Sequence, residues 1–448
     1  MPSTFFSRVA GYCPLGLLLL LAILIRGGAL LALQANLDED RDAYREIAEN
    51  LVVSGSYALD TGGEGVRPTA YRPPLYPLIL AKVAGESLEV SSDRVAALHL
   101  ALGVATVWLT WLIARQLCRR DSSPPAELVP FLAGLFVACD PILLHWSTYV
   151  MTETLATFLA ILCLYMLTRF HFDPRPWNAG LAGCALGLAI LARPTFLPWA
   201  ALCGAAMLLS TKWGFPTGHG IMRKVANAAM LALVIAVVVF PWGIRNYRQF
   251  GKPIITTTHG GYTFFLANND DFYDHLLQSG SQTPWSSAEF DAKWVGFYLF
   301  MGKGDELNQD AFAYQSAQKV IHERPGAFAY SCLYRATQLW SPLPQQLTKD
   351  ESWKRAALRY ATAAWYLAIY LLAVVGIGQM RWKMLRSPWV YGLLLCVVFS
   401  GVHTLYWSNL RMRAPLMPWV AVLAAVGAST AGTYFSKKRE RVTLPRST

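Results

Sequence analysis

The sequence predicts an all-α polytopic membrane protein of about ten spans, and three observations carry that expectation. The 448-residue chain is 54% hydrophobic, and only 15% of its residues are charged, against about 25% in soluble domains. Its apolar residues gather in runs of about 20, the length a helix needs to cross a bilayer. The connections between the runs differ in charge, with Lys and Arg collected on one side. The net charge of +11 then reflects sidedness, and no nucleic-acid partner is expected.

Taken in order, the runs place spans near 14–34, 94–117, 127–145, 152–169, 177–193, 195–211, 225–243, 357–379, 388–406 and 414–433. The first reads as a retained signal anchor. Its only early charge is Arg8, and no A-x-A site precedes the acids that follow. Arg26, within that run, is expected to snorkel or to pair inside the bundle. The pair at 177–211 reads as one long helix or as a tight hairpin, interrupted at "ARPTFLP" by Pro194 and Pro198. The segments "ARQLCRR", "TRFHFDPR", "MRK", "MRWKMLR" and "KKRER" are basic. With ten spans they share one side with both termini. The positive-inside rule makes that side cytoplasmic, in an inner or plasma membrane. The eight cysteines show no C-x-x-C pair and read as small apolar residues.

One membrane domain, 1–448, is therefore expected, with two long segments on the outer side, 35–93 and 244–356. The second contains "DELNQDAFAYQSAQKVIHERPGAFAYSCLYRATQLW", which reads as two helices split at Pro325. A loop of that length is usually functional.

The first outer segment opens with six acids: Asp38, Glu39, Asp40, Asp42, Glu46 and Glu49. From Asp40 to Leu51, the apolar stripe Tyr44, Ile47, Ala48 and Leu51 predicts a surface helix. On it Asp40 shares a face with Tyr44, and Asp42 points elsewhere. Two readings of the acids stand. They can be helix-start residues that complement the dipole, with Asn36 or Asp38 as cap. Or one of them can do chemistry, because "YRPPLYPLILAKVAG" brings Arg72 to the same membrane boundary. Pro73 and Pro74 stiffen that approach, and a short apolar surface helix follows.

The stretch "DEDRDAYREIAENLVVSGSYAL" with "RPPLYPLILA" resembles the first outer loop of GT-C glycosyltransferases of family 39 type. These are the aminoarabinose transferases and protein O-mannosyltransferases. Asp40, Tyr44, Ile47, Ala48, Gly55 and Arg72-Pro73 fill the pattern. "TYVMTETLATFLAIL", "ARPTFLP", "FPWGIRNYRQFGKPIITTTHGGYTFFLANND" and "RMRAPLMP" resemble later motifs in the same order. Aminoarabinose transferases carry Lys where Arg72 aligns.

The resemblance implies a GT-C type bundle with outer loop helices and a polyprenyl-phosphate-linked sugar donor. The acceptor would be a glycan, lipid or protein on the outer face. A single inverting displacement needs one carboxylate base and a cation for the leaving phosphate. Asp40 is the expected base, with Asp42 and Asp38 as alternatives. Arg72 is the expected phosphate ligand, because guanidinium matches phosphate oxygens and stays charged. Arg245, Arg411 and Arg413 are further phosphate candidates, each with snorkelling as the plain alternative. Tyr44, Tyr71, Glu153, His259 and Asn268 are candidate substrate contacts. No essential metal is expected. If a divalent cation were used, its ligands would come from Asp38, Asp40, Glu153 or His259. No phosphate loop or dinucleotide fingerprint occurs. A lipid or polysaccharide transporter is the alternative, but transporters bind near the bilayer midplane, usually between repeats, and no repeat is visible here. A scaffold protein whose outer loop binds a partner is a third reading.

Overall fold

The computed structural model describes residues 3–60, 65–85, 88–118, 128–209, 220–279, 285–300, 305–346 and 351–443. Some sequence signals fall outside what is described. These are the side chains of Arg8, Cys13 and the tail Lys437–Arg441, the residues Arg119 and Arg120, and the Gly-rich turn at 61–64.

The chain opens with α1 (Ser3–Ala32), then α2 (Tyr44–Ser54) and α3 (Leu75–Ala84) in the first outer segment. The bundle continues with α4 (Ser92–Cys118), α5 (Leu128–Ala138), α6 (Pro141–Trp146), α7 (Glu153–Phe172), α8 (Pro176–Ala192), α9 (Phe196–Leu208) and α10 (Ile221–Phe250). The second outer segment holds α11 (Gly260–Ala267), α12 (Asp270–Ser279), α13 (Ala288–Phe300), α14 (Glu306–Glu323) and α15 (Pro325–Trp340). The last spans are α16 (Trp353–Met380), α17 (Trp389–Leu405) and α18 (Met417–Thr443).

Among the described residues, six helical stretches are long and apolar enough to cross a membrane: Pro14–Ala32, Ser92–Cys118, Glu153–Phe172, Ile221–Phe250, Trp353–Leu385 and Leu410–Thr430. The other four expected spans fall on the shorter apolar helices α5, α8, α9 and α17. The expected run 127–145 is not one helix. It breaks after Ala138 and restarts at Pro141, whose missing N–H suits a first helical position. Asp140 caps the restart by accepting from the Ile142 and Leu143 amides, both at 3.0 Å. The pair at 177–211 is two helices, separated by Arg193, Pro194 and Thr195.

The first outer segment departs from its expectation in two ways. Helix α2 starts at Tyr44, not Asp40, because Ala43 adopts φ 57°. In addition, a small antiparallel hairpin forms between β1 (Ala58–Asp60) and β2 (Val66–Pro68), with Leu59 opposite Arg67. The short apolar helix after Pro73-Pro74 and the split at Pro325 are where the sequence put them.

Small residues let the spans approach closely, as lipid-embedded helices require. A Cβ on Gly376 would strike the Leu423 carbonyl, and one on Gly427 would strike that of Leu372, so α16 and α18 touch backbone to backbone. One continuous apolar core runs through the bundle. A second, aromatic cluster around Phe272, Tyr273 and Trp407 ties the outer segment to the end of α17.

Candidate active site

A cavity of about 650 Å³ opens at one end of the bundle. Its lining comes from the first outer segment, the head of α7, the α8–α9 break, the chain before and within α11, and the α17–α18 connection. Three of those connections bring arginines to it through local backbone features. Arg72 stands just before Pro73-Pro74. Arg193 stands before Pro194, where α8 must end. Arg411 lies in a 3-10 turn, Leu410–Leu416, whose start is capped by Asn409 Oδ1 accepting from the Arg411 amide at 3.1 Å.

These arginines alternate with two carboxylates. Arg72 donates to the Asp42 side chain at 2.9 Å and to its carbonyl at 2.8 Å. Arg411 lies 3.9 Å from the other Asp42 oxygen and 3.6 Å from Glu153. Arg193 binds Glu153 at 2.9 Å. The Glu153 side chain is 2% exposed and that of Asp42 22%, so Glu153 is the buried anchor and Asp42 the accessible acid. Three cations against two acids leave an excess of positive charge, which suits an anion such as phosphate. The left-handed turn at Ala43 aims Asp42 back at Arg72 while Tyr44 enters α2. A non-glycine residue in that region costs on the order of 1 kcal/mol.

Beside them lies a wall of rings, with the Arg72 guanidinium 4.6 Å from the Tyr71 ring centre. Tyr71 meets His259 edge-on at 4.4 Å, and His259 stacks on Tyr262 at 5.0 Å. Tyr262 donates to Asp291 at 2.6 Å. Burial pushes the His259 imidazole well below its ordinary range, and Arg72 and Arg411 push the same way, so the ring is neutral at physiological pH.

The structure brings together Asp42, Arg72, Arg411, Tyr44, Tyr71 and His259, with Glu153 directly behind them. It does not bring Asp40 to Arg72. Asp40 precedes α2 and accepts from the Glu46 amide at 2.9 Å, so it serves the helix start. Asp38 accepts from Ser92 Oγ at 2.6 Å. Arg245 donates to the Thr69 and Tyr57 carbonyls at 2.6 and 2.7 Å, and so braces the first outer segment. Arg413 is fully buried and donates to the Leu339 carbonyl at 2.9 Å. Asn268 is buried and ties α11 to α17 through the Leu405 carbonyl at 3.0 Å. Sequence reasoning missed Arg193 and His403, both in the lining. The available signal for Arg193 was an arginine at a proline break on the outer side.

The three acids and one histidine expected to serve a divalent ion do not converge. Asp38 and Asp40 serve Ser92 and α2, and Glu153 is ion-paired. Among the described residues no three His, Cys, Asp or Glu side chains form a metal-like group. The two acids that do converge, Asp42 and Glu153, already face three guanidiniums, a donor set that does not fit a divalent ion.

Residues 71–244 match the family described as dolichyl-phosphate-mannose-protein mannosyltransferase. No curated protein matches the sequence significantly. Among solved structures, the chain is similar to the archaeal oligosaccharyltransferase AglB from Archaeoglobus fulgidus in complex with an inhibitory peptide and a dolichol-phosphate. The TM-score is 0.55 at 15% identity, over 99% of this chain and 53% of that one. The Archaeoglobus fulgidus oligosaccharyltransferase tethered to an acceptor peptide containing the NVT sequon gives 0.53 at 15% identity, over 96% and 50%. ArnT from Cupriavidus metallidurans bound to undecaprenyl phosphate matches at 15% identity over 92% of this chain and 77% of that one, with a TM-score of only 0.41. The chain thus spans about half the length of the oligosaccharyltransferase structures it matches. The fold is similar to that of the membrane portion these oligosaccharyltransferase structures share with it.

Proposed function

We propose that this multi-pass membrane protein is a glycosyltransferase that moves a sugar from a polyprenyl-phosphate donor to an acceptor on the outer face of the cytoplasmic membrane. The observation that carries the reading is the convergence of Arg72, Arg411 and Asp42 at one cavity. The chain acts as a single domain, 1–448. Its first outer segment, 35–93, supplies the base, a phosphate ligand and Tyr71 of the ring wall, and segment 244–356 supplies His259 and Tyr262. Both termini are cytoplasmic.

In this mechanism the donor phosphate takes the hydrogen bonds of Arg72 and Arg411. That releases Asp42 from its pairing. The acceptor hydroxyl attacks the anomeric carbon as the bond from that carbon to the phosphate oxygen breaks. Asp42 accepts the acceptor's proton, and the electron pair of the broken bond leaves with the phosphate. The guanidiniums stabilise the resulting charge. One displacement inverts the anomeric carbon, with no covalent enzyme intermediate.

The test is transfer of labelled sugar from polyprenyl phosphate by the purified full-length chain in lipid, with lipid and peptide acceptors offered together. Asp42→Asn should lose about 10² to 10⁴-fold in turnover. Asp40→Asn should stay within about tenfold, since it serves α2. A larger loss at Asp40 would return the base to that residue. Lipid movement without cleavage of the sugar–phosphate bond would favour a transporter instead.

A further inference from the structure

The cavity wall concentrates buried polar atoms that make no hydrogen bond among the described residues. Arg193 Nη1, Thr195 Oγ1, His259 Nδ1 and His403 Nε2 are buried with no hydrogen-bond partner among the described residues, Arg411 Nε makes no hydrogen bond and has only Glu153 at 3.6 Å, and all five residues line the cavity. Buried polar groups are seldom left unpaired, and a cluster of them at one cavity marks where a ligand belongs. The arginine atoms suit the phosphate. His403 asks for something else. It is only 6% exposed, near the outer end of α17. Its Nδ1 lies 3.4 Å from the Trp407 carbonyl, which can only accept. In the uncharged ring the proton is then on Nδ1, and Nε2 carries a bare lone pair. A phosphate oxygen cannot donate to that lone pair, but a hydroxyl can.

Charge narrows the ligand further. Among the described residues the lining holds one carboxylate, Asp42, and Arg72 already pairs with it. Arg41, Arg72, Arg193 and Arg411 supply the charge of the remaining lining. A sugar bearing a free ammonium would meet four guanidiniums there against a single carboxylate. A neutral sugar would meet imidazole, tyrosine and threonine.

We propose that His403 Nε2 accepts a hydrogen bond from a hydroxyl of the transferred sugar, and that the cavity selects a neutral sugar over an amino sugar. This specificity rests on the lipid-linked-donor reading above.

Binding to the full-length protein in nanodiscs tests it without an acceptor. The probes are bare short-chain polyprenyl phosphate, the same lipid carrying mannose, its monodeoxy analogues, and mannosamine with a free ammonium. Wild type should bind the mannosyl lipid about tenfold tighter than the mannosamine lipid. His403→Leu should weaken the mannosyl lipid about tenfold, leave bare lipid phosphate unchanged, and be indifferent to one deoxy position that wild type reads. His403→Gln, which retains an acceptor, should recover part of the loss. Equal weakening of bare and loaded lipid by His403→Leu would overturn the assignment alone. So would sensitivity to every deoxy position in that variant, or tight binding of the mannosamine lipid. If wild type fails to bind bare lipid phosphate, the lipid-linked-donor reading falls and takes this one with it.

Discussion

At the scale of single residues, the site depends on charges that are held by one another. Glu153 is buried, and Arg193 is its near partner. Removing one member of such a pair leaves an uncompensated buried charge, at a cost of about 3–5 kcal/mol. Arg193→Ala should therefore lower stability by about 3 kcal/mol, the low end because Arg411 remains within reach of Glu153. Adding Glu153→Gln to that variant should restore part of the loss, which thermal unfolding in detergent would read. Additive losses would mean the pair is not coupled. A second residue-scale expectation concerns pH. Asp310 accepts from the Gly261 amide at 2.6 Å and so fixes the head of α11 beside His259. Burial raises its carboxyl from 3.8 to about 6, partly offset by that hydrogen bond. The folded state thus holds this proton more tightly than the unfolded chain does. The contribution favours folding below about pH 4 and is lost as pH rises through about 6. Asp310→Asn should flatten the stability-versus-pH curve across that window, and an unchanged slope would assign the dependence elsewhere.

At the scale of elements, the two outer segments are zipped together around Arg72. The Thr258 amide donates to the Ala70 carbonyl at 3.0 Å, and Thr257 Oγ1 donates to the Tyr71 carbonyl. Glu306, at the head of α14, accepts from Thr69 Oγ1 at 2.7 Å and from the Ala70 amide at 2.8 Å. Glu306→Ala should release residues 69–71, seen as faster amide exchange there. It should raise the donor KM about tenfold while kcat changes less, because Arg72 acts on the phosphate. Exchange as slow as in wild type would show that the backbone pairing alone suffices. These elements also show what a sequence can and cannot disclose. The helix after Pro73-Pro74 and the split at Pro325 were legible, since proline acts locally. The start of α2 was not, because its stripe of Tyr44, Ile47 and Ala48 extrapolates smoothly back to Asp40. Only the left-handed Ala43 breaks it. Arg411 and Arg413 looked equivalent for a related reason. In a 3-10 turn, residues two apart point about 240° apart, so one enters the cavity and the other the core. Arg245 and Arg193 are both boundary arginines, and which of them reaches the site depends on tertiary packing.

At the scale of the whole molecule, charge and cavity agree on a direction. Every segment lining the cavity belongs to a connection, or a helix end beside one, that the basic segments leave on the outer side. Exposed apolar side chains lie along the candidate spans, with Leu24 on α1, Leu233 and Val237 on α10, and Leu371 and Val374 on α16. The all-helical, multi-span class was legible from composition, because a bilayer admits few alternatives to apolar helices. The cavity was not, because five separated connections assemble it. Their assembly gives a testable topology. In a cysteine-free background, single cysteines at Ser54 and Ser286, both exposed on the outer segments, should react with a membrane-impermeant maleimide in intact cells. Cysteines at Arg223 and Lys383, exposed at the opposite end, should react only after permeabilisation. The reverse pattern would put Asp42 and Arg72 on the cytoplasmic side. A donor presented on the outer leaflet could not then reach them, so the topology and the chemistry stand or fall on the same labelling.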